Sequence, residues 1–238
     1  MESATPELPI WHYSCGKAWF FKLRYDKALA SFDRFLELYQ GKTLHADALY
    51  RKGMSLILSD RYADAQYVFH KLAQTEASGF DVDEYASGMA ATYLLNEPED
   101  RDKQLYEARN LFDGGYYRES LHRLASLKKT ANDLTENQQT ELFYRLGRNC
   151  HALDSLEAAQ IHYQACLDSK PGRNLWMKVY AHYYKGRLAE AEGDTEAARN
   201  WYKSALEFND YPYQSGLEQR CKAALQQLKY AKRNPDNE

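Results

Sequence analysis

A tyrosine followed four residues later by a cation recurs along this chain: Tyr13 and Lys17, Tyr144 and Arg148, Tyr183 and Arg187. Tyr50 and Tyr85 extend the aromatic series and Arg109 the basic one, with Met54 and Leu105 in the matching places. Residues four apart on a helix share one stripe, so each pair presents ring and charge together. Tyrosine offers a large contact area with little side-chain entropy to lose, and arginine holds a carboxylate through paired hydrogen bonds. That is the chemistry of recognising a peptide, in which Tyr and Arg dominate the binding energy. Asp47, Asp102 and Glu141, three residues before Tyr50, Leu105 and Tyr144, add the opposite charge to the same stripe.

Bond-making chemistry has no comparable pattern. His151 and His162 are eleven apart on separate predicted helices, and His182 has no histidine or carboxylate four residues on; neither spacing is that of a metal site. Gly114-Gly115 reads as a helix turn rather than a phosphate loop, since no strand precedes it. No local nucleophile motif is present. The expectation is therefore a non-enzymatic chain with no cofactor and no metal. Cys15, Cys150, Cys166 and Cys221 are scattered, with no Cys-x-x-Cys pair, and read as small buried hydrophobes in a reducing compartment. A net charge of −3 and a pI near 6.2 argue against general binding to nucleic acid. No apolar run approaches the ~20 residues that cross a bilayer. Met1 to Pro9 lacks a basic segment followed by an apolar one, so the cytoplasm is expected, or the cell envelope if a native N-terminus precedes this sequence.

The elements that must position the stripe repeat. From the small residues Gly16, Gly53, Ala108, Gly147 and Gly186, a second small residue follows at +12 (Ala28, Ala65, Ser120, Ala159, Ala198). A ring or leucine follows at +16 (Phe32, Phe69, Leu124, Tyr163, Tyr202). Two antiparallel helices joined by a short turn satisfy this pattern: the small residues allow close approach and the large one fills the space beside them. Self-similarity with such a period predicts a stacked solenoid.

The predicted helices lie at about 9–22 and 25–38, then 44–58 and 61–75, with Asp60 capping the second of that pair. About 80–95 reads as an orphan helix capped by Asp81 or Asp83. Pairs follow at about 101–113 and 117–129, 136–152 and 155–168, and 174–192 and 195–208. Thr135 and Asp194 serve as N-caps, and Pro171-Gly172 closes the middle pair. A helix at about 213–231 carries Leu217, Cys221, Ala224, Leu225 and Leu228 on one side, as a terminal cap does. The expected organisation is an N-terminal part at 1–95, a hinge at 96–103 around Pro98, repeats and cap at 104–231, and a disordered tail at 232–238.

Gly186-Arg187-Leu188-Ala189 with Gly193-Asp194, Ala197-Ala198, Trp201-Tyr202 and Ala205-Leu206 resembles a tetratricopeptide repeat, and so does Leu146-Gly147 through Ala159, Tyr163 and Pro171. The resemblance covers about 9–75 and 101–208. Its anchor separations of 37 and 39 residues exceed the family's ~34. Leu111 to Tyr117 and Asp210 to Tyr213 are also similar to uncharacterised multi-repeat bacterial proteins, often larger and placed in the cell envelope. The resemblance implies an all-α, right-handed α-α superhelix of five helix pairs, one orphan helix and one cap. It also implies that first-helix positions 2, 5, 9 and 12, counting the Gly16-type anchor as 8, line a concave groove. That lining would be Tyr13, Lys17, Tyr50, Tyr85, Arg109, Tyr144, Arg148, Tyr183 and Arg187. The family's carboxylate clamp wants lysine at position 5 and asparagine at 9, and no unit here has that pair. Two readings stay open: a scaffold holding an extended peptide or helical partner in the groove, and a self-association or attachment module in which the tyrosines pack between repeats.

Overall fold

The computed structural model describes residues 8–76, 78–170 and 175–233, with side chains described through residue 230. Among the described residues it is all helix: α1 Pro9–Phe21, α2 Tyr25–Leu38, α3 His45–Ile57, α4 Tyr62–Ala73, α5 Asp81–Leu95, α6 Asp100–Asp113, α7 Tyr117–Lys128, α8 Glu136–Ala152, α9 Leu156–Asp168, α10 Leu175–Ala191, α11 Thr195–Ala205 and α12 Gln214–Arg233, with a 3-10 turn at Ala131–Asp133. The chain is an all-α helical repeat protein. It divides into two compact units, Met1–Tyr116 and Tyr117–Glu238. The expected closure at Pro171-Gly172 and most of the expected tail lie outside the described residues.

The anchors behave as their sizes demand. A Cβ on Gly16 would sit 2.6 Å from Phe32, one on Gly53 2.6 Å from Phe69, one on Gly147 2.6 Å from Tyr163 and one on Gly186 2.5 Å from Tyr202. Each ring at +16 therefore rests directly on the backbone of its anchor. The rings are fully buried, as are Ala28, Ala65, Ala159 and Ala198. Gly88, in the orphan helix α5, has no atom within 4 Å of its Cβ position.

The turns repeat as well. Seven residues after each anchor the backbone is left-handed: Leu23 (φ 55°), Asp60 (58°), Gly115 (82°), Asp154 (58°) and Gly193 (80°). The next N–H reaches back five residues, Arg24 to Trp19 O (2.9 Å), Arg61 to Leu56 O (2.9 Å), Tyr116 to Leu111 O (2.8 Å), Ser155 to Cys150 O (2.8 Å) and Asp194 to Ala189 O (2.9 Å). This is the Schellman closure of a helix C-terminus. Asp60 is thus the left-handed corner and not, as expected, a cap for α4, whose N-terminus takes no side-chain bond. Thr135 does cap α8, reciprocally with Gln138, and Asp194 caps α11 through Ala197 N at 2.9 Å.

Polar side chains tie successive layers. Asp83 does not cap its own helix: its oxygens accept from Leu44 N and Asp47 N, both at 2.8 Å, so α5 caps the start of α3. Asp83 is fully buried there. In the second unit, Lys178 of α10 donates to Leu167 O at 3.0 Å and to Ser169 O, supplying a cation to the C-terminal carbonyls of α9. The core of the first unit gathers Phe20, Phe32, Phe35, Leu49, Phe69 and Leu72. In the second, α12 closes the stack with Leu217, Cys221, Ala224 and Leu228 against the α10–α11 layer.

Candidate functional site

In the first unit, α1, α3 and α5 bring Tyr13, Tyr50 and Tyr85 to one face. Tyr13 is buried, and its hydroxyl donates to Asp47 Oδ2 at 2.7 Å; Arg51 Nε donates to the same oxygen at 2.6 Å. Asp47, expected to add negative charge to a groove, is consumed by this internal network. Lys17 Nζ lies 5.4 Å over the Tyr13 ring, and burial together with the Arg51 charge lowers its pKa. Tyr50 is 3% exposed, packed edge-on to Tyr85 at 5.9 Å. Its hydroxyl meets that of Tyr106 at 3.0 Å.

Tyr106 belongs to α6, which lies on this same face. Its ring meets Phe20 edge-on at 6.4 Å, and Tyr25 OH donates to Glu107 Oε1 at 3.2 Å. Arg109 comes from α6 too, 5.6 Å over the Tyr106 ring, 3.5 Å from Tyr85 OH and 3.5 Å from Asp113. Arg109 is therefore part of what covers the face, not a rung on it. Burial among these phenols pushes the hydroxyls of Tyr50, Tyr93 and Tyr106 upward, so they remain protonated. The expectation of exposed tyrosines fails here because chain from the same unit already occupies the face.

The second unit differs. Tyr144 is 2% exposed and Tyr183 8%, so neither is the open rung that was expected. Tyr144 packs against Trp176 at 5.6 Å, between α8 and α10, and Tyr183 against Tyr202 of its own hairpin at 5.8 Å. The arginines reach further. Arg148 is half-buried, with its guanidinium 5.2 Å over Tyr184 and Nη1 3.3 Å from Tyr144 OH. Arg187 is exposed, with Nη1 3.5 Å from Tyr183 OH and Nε 3.4 Å from Glu190. Burial, with the charges of Arg187 and Arg148 added to it, lowers the pKa of His151.

Beside these arginines runs an aromatic stripe that the positional reading passed over: Trp176, Tyr180 and Tyr184, four residues apart on α10. Trp176 meets Tyr180 at 5.8 Å and Tyr180 meets Tyr184 at 6.4 Å; exposed Tyr213 abuts Trp176 at 6.1 Å. Tyr184 is held from behind by Tyr163, stacked at 5.4 Å and 8°. All three are half-buried. The signal was present in the sequence as Trp-x3-Tyr-x3-Tyr, but the neighbouring Tyr183 took the groove position. The result is a partly open aromatic row with two arginines at one edge, able to take a flat or apolar group on the rings and an anion on the guanidinium groups. Among the described residues no three His, Cys, Asp or Glu side chains gather to hold a metal ion. None of the described helices is long and apolar enough to cross a membrane.

Residues 140–173 and 179–211 match the tetratricopeptide repeat family model. These are the α8–α9 and α10–α11 hairpins. No curated protein matches the chain. Among solved structures it is similar to MamA, residues 41 to the end, from Desulfovibrio magneticus RS-1, at 15% identity over 86% of this chain and 96% of that one, with a TM-score of 0.40. It is also similar to the tetratricopeptide-repeat domain of P58(IPK), at 11% identity and a TM-score of 0.44, covering 97% of this chain and 57% of the other.

Proposed function

We infer that this chain, which carries tetratricopeptide repeats at 140–173 and 179–211, is a protein-interaction scaffold whose second unit holds an extended segment of a protein partner. The observation that carries this reading is the half-open row of Trp176, Tyr180 and Tyr184 with Arg148 and Arg187 along its edge. The row is pre-positioned: Tyr184 is clamped by Tyr163, and Tyr144 braces Trp176 from α8. A partner therefore meets rings that have little freedom left to lose, which favours affinity. The ligand that fits is a segment with an aromatic or bulky apolar residue beside a carboxylate. Arg187 lies 3.4 Å from Glu190 and more than half open to solvent, so its guanidinium can still reach an incoming carboxylate. The role proposed is binding without catalysis and without a cofactor.

A peptide library displayed on phage tests this reading. Selection on the intact chain is expected to enrich aromatic residues adjacent to Asp or Glu. The selected peptides are expected to lose at least about tenfold in affinity, or about 1.4 kcal/mol, on Arg187→Glu and on Tyr180→Ser, with unchanged melting temperature. Peptides without acidic enrichment, or peptides that bind both variants as tightly as the parent, would remove the proposal. Arg148→Glu is a poorer probe, because reversing a half-buried charge over Tyr184 also costs stability.

A further inference from the structure

One histidine stands beside the aromatic row. Tyr144, Arg148 and His151 follow one another at spacings of four and three on α8, on a single stripe of the helix. Tyr184 of α10 is where the last two meet: the Arg148 guanidinium lies 5.2 Å over its ring, and the His151 ring stands edge-on to it at 5.7 Å. Arg187 follows Tyr184 by three residues on α10, so the second guanidinium rises from the same stripe. His151 is half-buried and also edge-on to Tyr163, at 6.3 Å. Its Nδ1 is fully buried, with no hydrogen-bond partner among the described residues. We propose that a carboxylate-bearing segment seated on Arg148 and Arg187 brings a proton from solvent onto His151, so that the second unit holds its partner more tightly as the pH falls from about 8 to about 6. The inference rests on the binding reading above.

In the free chain the surroundings disfavour the imidazolium. Burial is the largest effect, and Arg187 from α10 and Arg148 on the same helix add two cations, so the pKa of His151 falls below its ordinary value. The charged ring carries a hydrogen on both nitrogens, which would make Nδ1 a buried donor with no acceptor. Asp154, in the turn after α8, favours the charged ring. α9 and α10 otherwise face it with the phenols of Tyr163 and Tyr184, and burial keeps the Tyr163 hydroxyl protonated. Lys128 of α7 acts on Cys150 and His162 instead. An incoming carboxylate offsets the two cations at the place where they act on the ring. The pKa of His151 then rises in the complex, the complex binds more protons than the free chain, and the affinity rises as the pH falls. The partner's carboxylates stay ionised throughout this range. Burial holds His162 and His182 near about 4, so they contribute nothing to it.

Calorimetry tests the proposal with the intact chain and the peptide acetyl-Gly-Ser-Trp-Glu-Asp-Ser-Gly-amide, whose indole suits the row and whose acids suit the arginines. Titrations near pH ~6.5 in buffers of different ionisation enthalpy count the protons taken up. The expected result is uptake of roughly half a proton, binding at least about threefold tighter at pH ~6 than at pH ~8, and loss of both effects in His151→Gln. Magnetic resonance gives a second measurement, which serves equally if His151→Gln perturbs the fold. The His151 imidazole is expected to titrate at higher pH in free Arg187→Gln than in the free parent, and at higher pH in the peptide-saturated parent. Binding as tight at the higher pH as at the lower, proton uptake that persists in His151→Gln, or a His151 titration unmoved by Arg187→Gln and by the peptide overturns the proton link and leaves the binding reading standing. A peptide that binds at neither pH removes both.

Discussion

Gly147→Ala and Gly88→Ala make the same chemical change in the middle of two helices, and the structure requires opposite signs. At Gly147 the new Cβ would lie 2.6 Å from both Cδ1 and Cε1 of Tyr163 and 3.1 Å from its Cγ. Carbon atoms are comfortable at about 3.5–4.0 Å, so the ring must retreat by roughly 1 Å. It has no slack: Tyr163 is fully buried, stacked on Tyr184 at 5.4 Å, and set edge-on to His151 at 6.3 Å. Overpacking of this kind costs about 1–3 kcal/mol, while alanine returns about 0.8–1.0 kcal/mol of helix propensity. Because the ring has no slack the upper part of that range applies, about 2–3 kcal/mol, so the net expectation is a loss of about 1–2 kcal/mol, deeper for Gly147→Leu. At Gly88 the propensity gain stands alone, since the Cβ meets nothing within 4 Å; stability should rise by about 0.5–1 kcal/mol. Urea unfolding with the slope held common measures both, and the melting temperatures should move apart by several degrees at about 2–4 °C per kcal/mol. A Gly147→Ala protein as stable as the parent, or a Gly88→Ala protein less stable, would refute the assignment of Gly147 as the seat of the ring.

Asp83→Ala should cost about 2–4 kcal/mol, because it strips two backbone N–H groups at the start of α3 of a buried acceptor; urea unfolding that shifts by less than half a kcal/mol would contradict the cross-layer cap. Burial holds the pKa of His162 and of His182 down near about 4. Both pKa values lie below the unfolded value near 6.5, so the stability they contribute is complete above that value. It is lost progressively as the pH falls toward 4, because the unfolded chain binds the protons first. Imidazole resonances that titrate near 6.5 in the native protein would contradict this. Limited proteolysis should cut first between Asn96 and Lys103, where the non-helical residues 96–99 join α5 to the first turn of α6. The Lys103 contacts to Asp60 (3.0 Å) and Glu97 (3.2 Å) are the brake on that cleavage, and Lys103→Ala should accelerate it.

The α1–α2, α3–α4, α8–α9 and α10–α11 hairpins were legible because their physics is local, whereas α6 and α7, expected as a fifth pair, fall in different units and α6 packs on α1 instead. A glycine, a small residue at +12 and a ring at +16 leave few ways to pack, and four of the rings lie on their glycines as that spacing requires. The caps at Thr135 and Asp194 were legible for the same reason. What crossed between layers was not. Asp83 satisfies α3, some forty residues earlier in the chain, and no spacing rule connects them. The tyrosines at position 5 were read as rungs from register alone, yet burial is decided by what arrives from elsewhere. α6 delivers Tyr106 onto Tyr50, and Trp176 closes on Tyr144. The row on α10 emerged only when Tyr183 proved to face its own hairpin, leaving Tyr180 and Tyr184 on the open side.

The left-handed corner at the foot of each hairpin bears on how such a chain can age. Its closure is a bond between main-chain atoms, from the N–H eight residues past the anchor to the carbonyl three past it, and it is equally short whether the corner is Leu23, Asp60 or Gly193. A leucine in that conformation costs on the order of 1–2 kcal/mol relative to the right-handed region, a loss small enough for the packing of Phe32 on Gly16 to offset. Corners can therefore change residue freely while the hairpins they close keep their shape. The corners at Leu23 and Asp60 in the first unit close by the same bond as those at Asp154 and Gly193 in the hairpins that match the repeat model.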